Sequence, residues 1–346
     1  VCAPQICNQI LYYFWKEEYI QGFDVTSIAR QGAKFAGIAY GQHAGDGFLV
    51  CAPHASDNLL IARESRRLLF ESEGRGVSLA YLLGDFQQNA LRLGSADDLT
   101  FHDLKPLVYG QDALGWGMTC PRDGRMHCSL VDALPRQHRH TATHFISWVW
   151  GYKLSLVLGA LEEWIRRSGL DMEGVFLWMC FCCNNQFRIF DEQAAAGADN
   201  LEVTFDRRLR RIGKMVALVD QWESPVYNKR IWTQFEQYTA TKLEIPVQMI
   251  LPPNEQRNLR DEIEQGNFGR VISALSNIDA EHAVASFPAD ELKVKKMIRE
   301  EVGFEKLNKC VKISMAQCCS LEFSLVLAEK AISSRTSIGC MKTQSQ

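Results

Sequence analysis

The hydrophobic period of the chain changes twice between Thr143 and Cys182. The segment THFISWVWGYKLSLVLGALEEWIRRSGLDMEGVFLWMCFC opens on a short β-branched and aromatic run, THFISWVW, whose composition predicts a buried strand. Leu154, Val157, Leu158, Leu161 and Ile165 then recur at helical spacing. Glu162, Glu163, Arg166 and Arg167 lie opposite, and Gly169 stands where a C-terminal cap belongs. This predicts an amphipathic helix of about four turns. VFLWMCFC follows as a second strand, apolar on both faces, the kind found in parallel sheets covered by helices. The two changes of period therefore describe a β-α-β unit.

The alternation continues downstream. Leu201, Phe205, Leu209 and Ile212 make a helical stripe, with Arg207, Arg208, Arg210 and Arg211 as its expected wet face. Residues 214–219 read as a third strand, 225–243 as a helix with Pro in its first turn, and 246–251 as a fourth strand. A helix near 254–265 and a weaker fifth strand near 277–285 complete the pattern, and DELKVKKMIREEVGF and residues 307–332 look helical. The reading is a doubly wound α/β domain over 143–285, with the strand near Thr143 central, and a C-terminal helical extension over 286–346. Residues 1–135 are rich in Gly, with isolated apolar patches (FAGIAYG, GFLVCAP, VSLAYLLGDF) of no dominant period, and read as an irregular N-terminal region. No fixed-period repeat is present.

Composition changes this picture little. A length of 346 residues suggests about two domains, and 47% hydrophobic with 23% charged residues is ordinary for a globular chain. The net charge of −3 argues against general nucleic-acid binding, which needs a concentrated basic surface. No uninterrupted apolar run approaches the roughly 18 residues of a membrane helix. The start, VCAPQICNQILYYFWKEE, lacks an initiator Met and the order of a secretion signal, so the expectation is a soluble chain whose true N-terminus is missing. Of the twelve cysteines, Cys180, Cys182, Cys183, Cys318 and Cys319 fall in or beside apolar runs, where free Cys behaves as a small buried hydrophobe. Adjacent pairs such as Cys182-Cys183 make a poor disulfide framework, which points to a reducing, cytoplasmic setting.

Several motifs carry little chemistry. GQHAGDG and GDGFLV lack the G-x-x-x-x-G-K-[ST] pattern and read as surface turns. Cys120 and Cys128, followed by His138, His140 and His144, lack the close ligand spacing of a structural zinc site, so no metal is expected. Glu236 is different. Its i±3 and i±4 neighbours are Trp232, Thr233, Thr239 and Ala240, so no basic side chain on its own helix can pair with it. Set at the margin of an apolar face, it either reaches solvent past the helix edge or is partly buried with a raised pKa, as catalytic carboxylates are.

Phe145-Ile146-Ser147-Trp148, Val175-Phe176-Leu177-Trp178, Trp232 with Glu236, and Ile245-Pro246-Val247 are similar to motifs of the Toll/interleukin-1 receptor (TIR) domain. The resemblance covers about residues 143–285. It implies a five-stranded flavodoxin-like sheet, association with itself or with other TIR-like domains, a role in signalling and, in some members, cleavage of NAD. The chain as a whole resembles proteins of single-celled eukaryotes. It departs from the family at Trp178, where an Asp is usual, and in the loop CFCCNNQFRIF. Following the resemblance, Glu236 is the candidate catalytic residue. Trp150, Gly151, Tyr152, Lys153, Asn184, Asn185 and Trp232 are the candidate nucleotide contacts at the carboxyl ends of the strands. NAD enters as a substrate and not as a resident cofactor. The alternative is a non-catalytic interaction module. A receiver-like reading fails for want of an acidic cluster after THFISWVW.

Overall fold

A computed structural model describes residue 64 and residues 66–191, 201–285 and 288–343. The readings of FAGIAYG, GFLVCAP, GQHAGDG and GDGFLV lie outside the described residues. The chain divides into two compact units, Val1–Phe70 with Pro121–Gly124, and Glu71–Cys120 with Arg125–Gln346. In the first, Arg67 pairs with Glu64 on an exposed helical segment, and Pro121–Gly124 is a turn with Gly124 at φ +68°. All that follows concerns the second.

It is a mixed α/β unit built on one six-stranded sheet. The strands are β1 (Arg75–Ser78), β2 (Arg139–Thr141), β3 (His144–Ser147), β4 (Phe176–Trp178), β5 (Met215–Leu218) and β6 (Val247–Ile250), in the spatial order β2-β1-β4-β3-β5-β6. The last four of these are mutually parallel, with β3 between β4 and β5 as its sequence suggests. Every residue of β3 and of β5 is buried, which explains their unbroken apolar runs.

Alternation along β3 decides what each side chain meets. His144 points toward the helix α1 (Leu154–Ser168), where its ring lies edge-on to Trp164 at 5.2 Å. Phe145 points the other way, stacked on Trp178 at 4.8 Å and edge-on to Phe205 of α2 (Leu201–Ile212) at 5.8 Å. Helices thus cover both faces. Four more follow: α3 (Ile231–Lys242), α4 (Pro253–Glu264), α5 (Phe268–Ser276) and α6 (Pro288–Glu301). The long α7 (Phe304–Thr343) closes the chain. α1 ends as its sequence predicts, at Gly169 in the left-handed conformation (φ +67°). Replacing Gly169 with Ala forces a side chain into that region, and urea titration should show a loss of about 1 kcal/mol.

Four features depart from the sequence reading. Residues 277–285 form no strand: they hold a 3-10 turn, Ala280–His282, and pair with the chain before α3 in one isolated parallel bridge, Arg230 with Val284. The strand VFLWMCFC stops at Trp178, because Cys180–Cys183 winds into a helical turn. Its Cys180 and Phe181 carbonyls both accept from Gln186 Nε2, at 2.9 and 3.1 Å. Arg208 turns inward from the expected wet face, donating to Asn184 Oδ1 at 2.9 Å and lying over the Trp178 ring. Finally, the sheet reaches outside 143–285: VSLAYLLGDF contains the end of β1 and the start of the helical stretch 79–90. β1 and β2 are antiparallel additions to the β4 edge. They are secured by the buried Asp132, which accepts from Ser72, Ser129 and Arg75.

One stretch, Phe304–Leu327 of α7, has the length and mean hydropathy (1.4) of a membrane span, because scattered charges do not cancel its apolar content. In the fold one side of it packs on the domain, with Leu307, Val311, Met315 and Val326 buried and Glu322 buried between two arginines, while 22% of its apolar window is buried in all.

Candidate functional site

The central feature is α3, which is covered on all sides. The sequence places Glu236 at the margin of an apolar stripe, yet every residue from Thr233 to Ala240 is buried. α2 lies against α3 on one side and α6 and α7 on the others. A helix that is both polar and buried must satisfy its side chains internally, and most of its residues do. Thr233 Oγ1 donates to the carbonyls of Tyr227 and Arg230. Gln237 Nε2 donates to the Tyr227 hydroxyl at 3.0 Å, Thr239 Oγ1 to the Phe235 carbonyl at 2.8 Å, and the Tyr238 hydroxyl to Glu301.

Gln234 Oε1 is left without a partner, and so, with an ionisable group, is Glu236. It is 7% exposed, and its Oε2 is buried with no hydrogen-bond partner. Among the described residues no ion pair includes it. Burial pushes its pKa up to about 8, against a smaller downward pull from the Ser147 hydroxyl. At neutral pH the group is therefore mostly a neutral acid. Ser147 is the last residue of β3, so Glu236 lies at the carboxyl end of the central strand, where parallel sheets bind ligands. The Ser147 and Tyr227 hydroxyls are 2.5 Å apart. Burial and the Glu236 charge raise the Tyr227 pKa, and the same two causes push the Cys180 thiol up to about 12. Glu236, Ser147, Tyr227 and Cys180 thus form one electrostatically coupled group.

The other expected contacts divide into three sets. Trp150 joins the group: half-buried, it donates its indole N–H to Cys180 Sγ at 3.4 Å and meets Phe181 edge-on. Tyr152 and Asn185 are consumed by structure. The buried Tyr152 donates to Asp220 Oδ1 at 3.0 Å, clasping the chain after β3 to the chain after β5. Asn185 Nδ2 donates to the His127 carbonyl and Asn185 Oδ1 accepts from the Phe187 N–H. Gly151 and Lys153 are exposed, Asn184 holds Arg208, and Trp232 packs in an aromatic cluster with Phe205 and Phe235. Replacing Tyr152 with Phe removes a buried hydroxyl and leaves Asp220 Oδ1 without that donor. Denaturant titration should show a loss of about 1–2 kcal/mol.

The sequence reading missed Ser147 and Tyr227 as site residues. One signal was present: Ser147 is the lone hydroxyl inside the buried part of an otherwise apolar strand. Two shallow surface depressions are present, one of about 230 Å³ lined by Leu83, Gln87, Ser155 and Glu162, and one of about 520 Å³ between α5 and α7. Neither includes Glu236. Among the described residues no group of three or more His, Cys, Asp or Glu side chains is placed to hold a metal ion. Comparison of the chain with protein-family models, with curated proteins and with solved structures finds no match.

Proposed function

We propose that this chain is a TIR-like protein that cleaves the nicotinamide-ribose bond of NAD, with Glu236 as its catalytic carboxylate. The observation that carries the reading is the position of Glu236, a buried carboxyl with a free oxygen at the carboxyl end of the central strand. The parallel order β4-β3-β5-β6 is compatible with a flavodoxin-like domain lacking its fifth strand. Breaking the bond between ribose C1′ and the nicotinamide nitrogen develops positive charge on the sugar. An ionised carboxylate beside the ribose hydroxyls stabilises that charge. Nicotinamide leaves with the bonding electron pair and is neutral on departure, so it needs no general acid. Water then adds to C1′ and releases one proton.

Entry of a nucleotide requires part of the cover over Glu236 to move, since Glu236 is closed to solvent. The test is nicotinamide release from NAD by the full chain and by Glu236→Gln at equal concentration. The expected result is a fall of about a hundredfold or more, the usual consequence of losing a preorganised stabiliser. Equal turnover in the two proteins removes Glu236 from the chemistry.

The closed site and Trp178 in place of the family Asp favour a second reading, an interaction module without catalysis. Absence of nicotinamide release by the wild type at every concentration decides for it.

A further inference from the structure

The nine residues of α5, FGRVISALS, include no buried position, although Phe268, Val271, Ile272 and Leu275 recur at the spacing of a helix stripe. A helix so short does not persist in water on its own. Partial packing of Val271, Ala274 and Leu275 on the core holds this one, together with polar ties. Arg270 pairs with Glu223 and Glu262, and Lys312 Nζ of α7 donates to the Ser276 carbonyl at 3.1 Å. At the other end the Phe268 and Phe323 rings meet edge-on at 6.0 Å. α5 therefore runs antiparallel along α7, and its Ile272 is 63% exposed.

α7 has two distinct faces. Leu307, Val311, Met315 and Val326 are buried against the domain. Ile313, Ala316, Ser320, Phe323 and Leu327 are all exposed. Their spacing of three, four, three and four residues is that of a coiled-coil seam, a pattern that selects another helix as its cover.

We infer that this face is the contact between two copies of this chain, with the α7 helices antiparallel across a two-fold axis. The face is self-complementary. In an antiparallel pair the two kinds of seam position face each other, so Ala316 of one copy meets Ser320 of the other, and these small side chains let the helices approach at the axis. Phe323 of each copy then falls on Ile313 of the other. That is where an open depression of about 520 Å³ lies, lined by Leu275, Ile313 and Ala316 on one side and by Glu305, Asn308, Lys309 and Lys312 around them. The same face carries both the ridge, Phe268 on Phe323, and the hollow that receives it. Leu327 lands on the apolar stem of the partner's Lys309. The contact is independent of the chemistry at Glu236 and gives the non-catalytic reading a definite surface.

The experiment is light-scattering mass of the full chain from about 1 to about 100 µM, a range that brackets a contact of modest size. The wild type should pass from one chain to two. Ile313→Lys and Phe323→Lys should each weaken association at least about a hundredfold, because a further cation would be buried beside Lys309 and Lys312. Ile313→Lys should melt like the wild type when dilute, since it alters a 47% exposed position, whereas Phe323→Lys also loses the contact with Phe268 and is read for association alone. Leu292→Glu, at a 73% exposed position on α6 outside this face, should leave the dimer unchanged. A wild type that stays monomeric throughout overturns the inference, as does a dimer that survives both variants. So does a dilute Ile313→Lys that melts well below the wild type, which would mean that the chain covers this face itself.

Discussion

Replacing Glu322 with Ala will destabilise the protein by about 3–5 kcal/mol, more than any single apolar truncation along α7 except a fully buried one. Glu322 is 1% exposed, and its two oxygens serve two helices at once. Oε1 accepts from Arg167 Nη1 of α1 at 2.5 Å and Oε2 from Arg260 Nε of α4 at 2.8 Å. Arg167 Nη1 also reaches Gln256 Oε1 of α4 at 2.5 Å, so one carboxylate joins three helices in a single network. Its removal leaves two guanidinium groups, 17% and 26% exposed in their side chains, without their shared acceptor. The cost lies in that buried excess charge and not in the lost attraction alone. Urea titration measures it, and limited proteolysis should show new cleavage within α7. A loss below about 1 kcal/mol would mean that the apolar positions Leu307, Val311, Met315 and Val326 hold α7 unaided.

Glu322 also marks the limit of what periodicity reveals. The stripes of α1 and α2 and the runs of β3 and β5 are legible because each element presents a uniform environment to one neighbour, so its period matches its geometry. α3 defeats that reading. Its residues look amphipathic by spacing, but packing by α2, α6 and α7 buries both sides, and nothing local encodes a cover supplied by residues 60 positions downstream. The fifth strand near 277–285 fails for the opposite reason. Its apolar residues, Ile278, Ala280 and Ala283, are indeed buried, yet they turn through a 3-10 segment and dock on helices without pairing to the sheet. β1 went unread because a four-residue strand followed at once by a helix shows no stable period in a window of a dozen residues. At the site, the oddity of Glu236 was legible from its uncharged neighbours. Tyr152 was legible only as an aromatic after a strand, and its bond to Asp220 depends on two loops 68 residues apart meeting in space.

The burial of Glu236 also makes stability fall as pH rises. In the unfolded chain the carboxyl ionises near 4.5, whereas in the fold it stays protonated until about 8. Below 4.5 it is neutral in both states and contributes no pH dependence. Between the two values the unfolded state has released the proton and the folded state has not, so each step up in pH favours unfolding. Above about 8 both states are ionised and the dependence ends. The shift corresponds to a loss of the order of several kcal/mol across that window, at most about 5. Among the described residues no basic partner offsets it: the groups coupled to the carboxyl are Ser147, Tyr227 and Cys180, and none carries positive charge. Glu236→Gln is neutral at every pH and nearly the same shape. It should match the wild type near pH 5, exceed it in stability near pH 8, and remove most of the slope between them in denaturant titrations. Parallel curves for the two proteins would show that the carboxyl reaches water. The same ionisation governs the proposed chemistry, because only the anion stabilises a cationic ribose. Nicotinamide release should therefore rise with pH to a plateau above about 8, over the interval in which the fold weakens. The site would then work by holding a carboxylate that the fold itself disfavours, with the cationic ribose of the substrate supplying the positive charge that the protein omits.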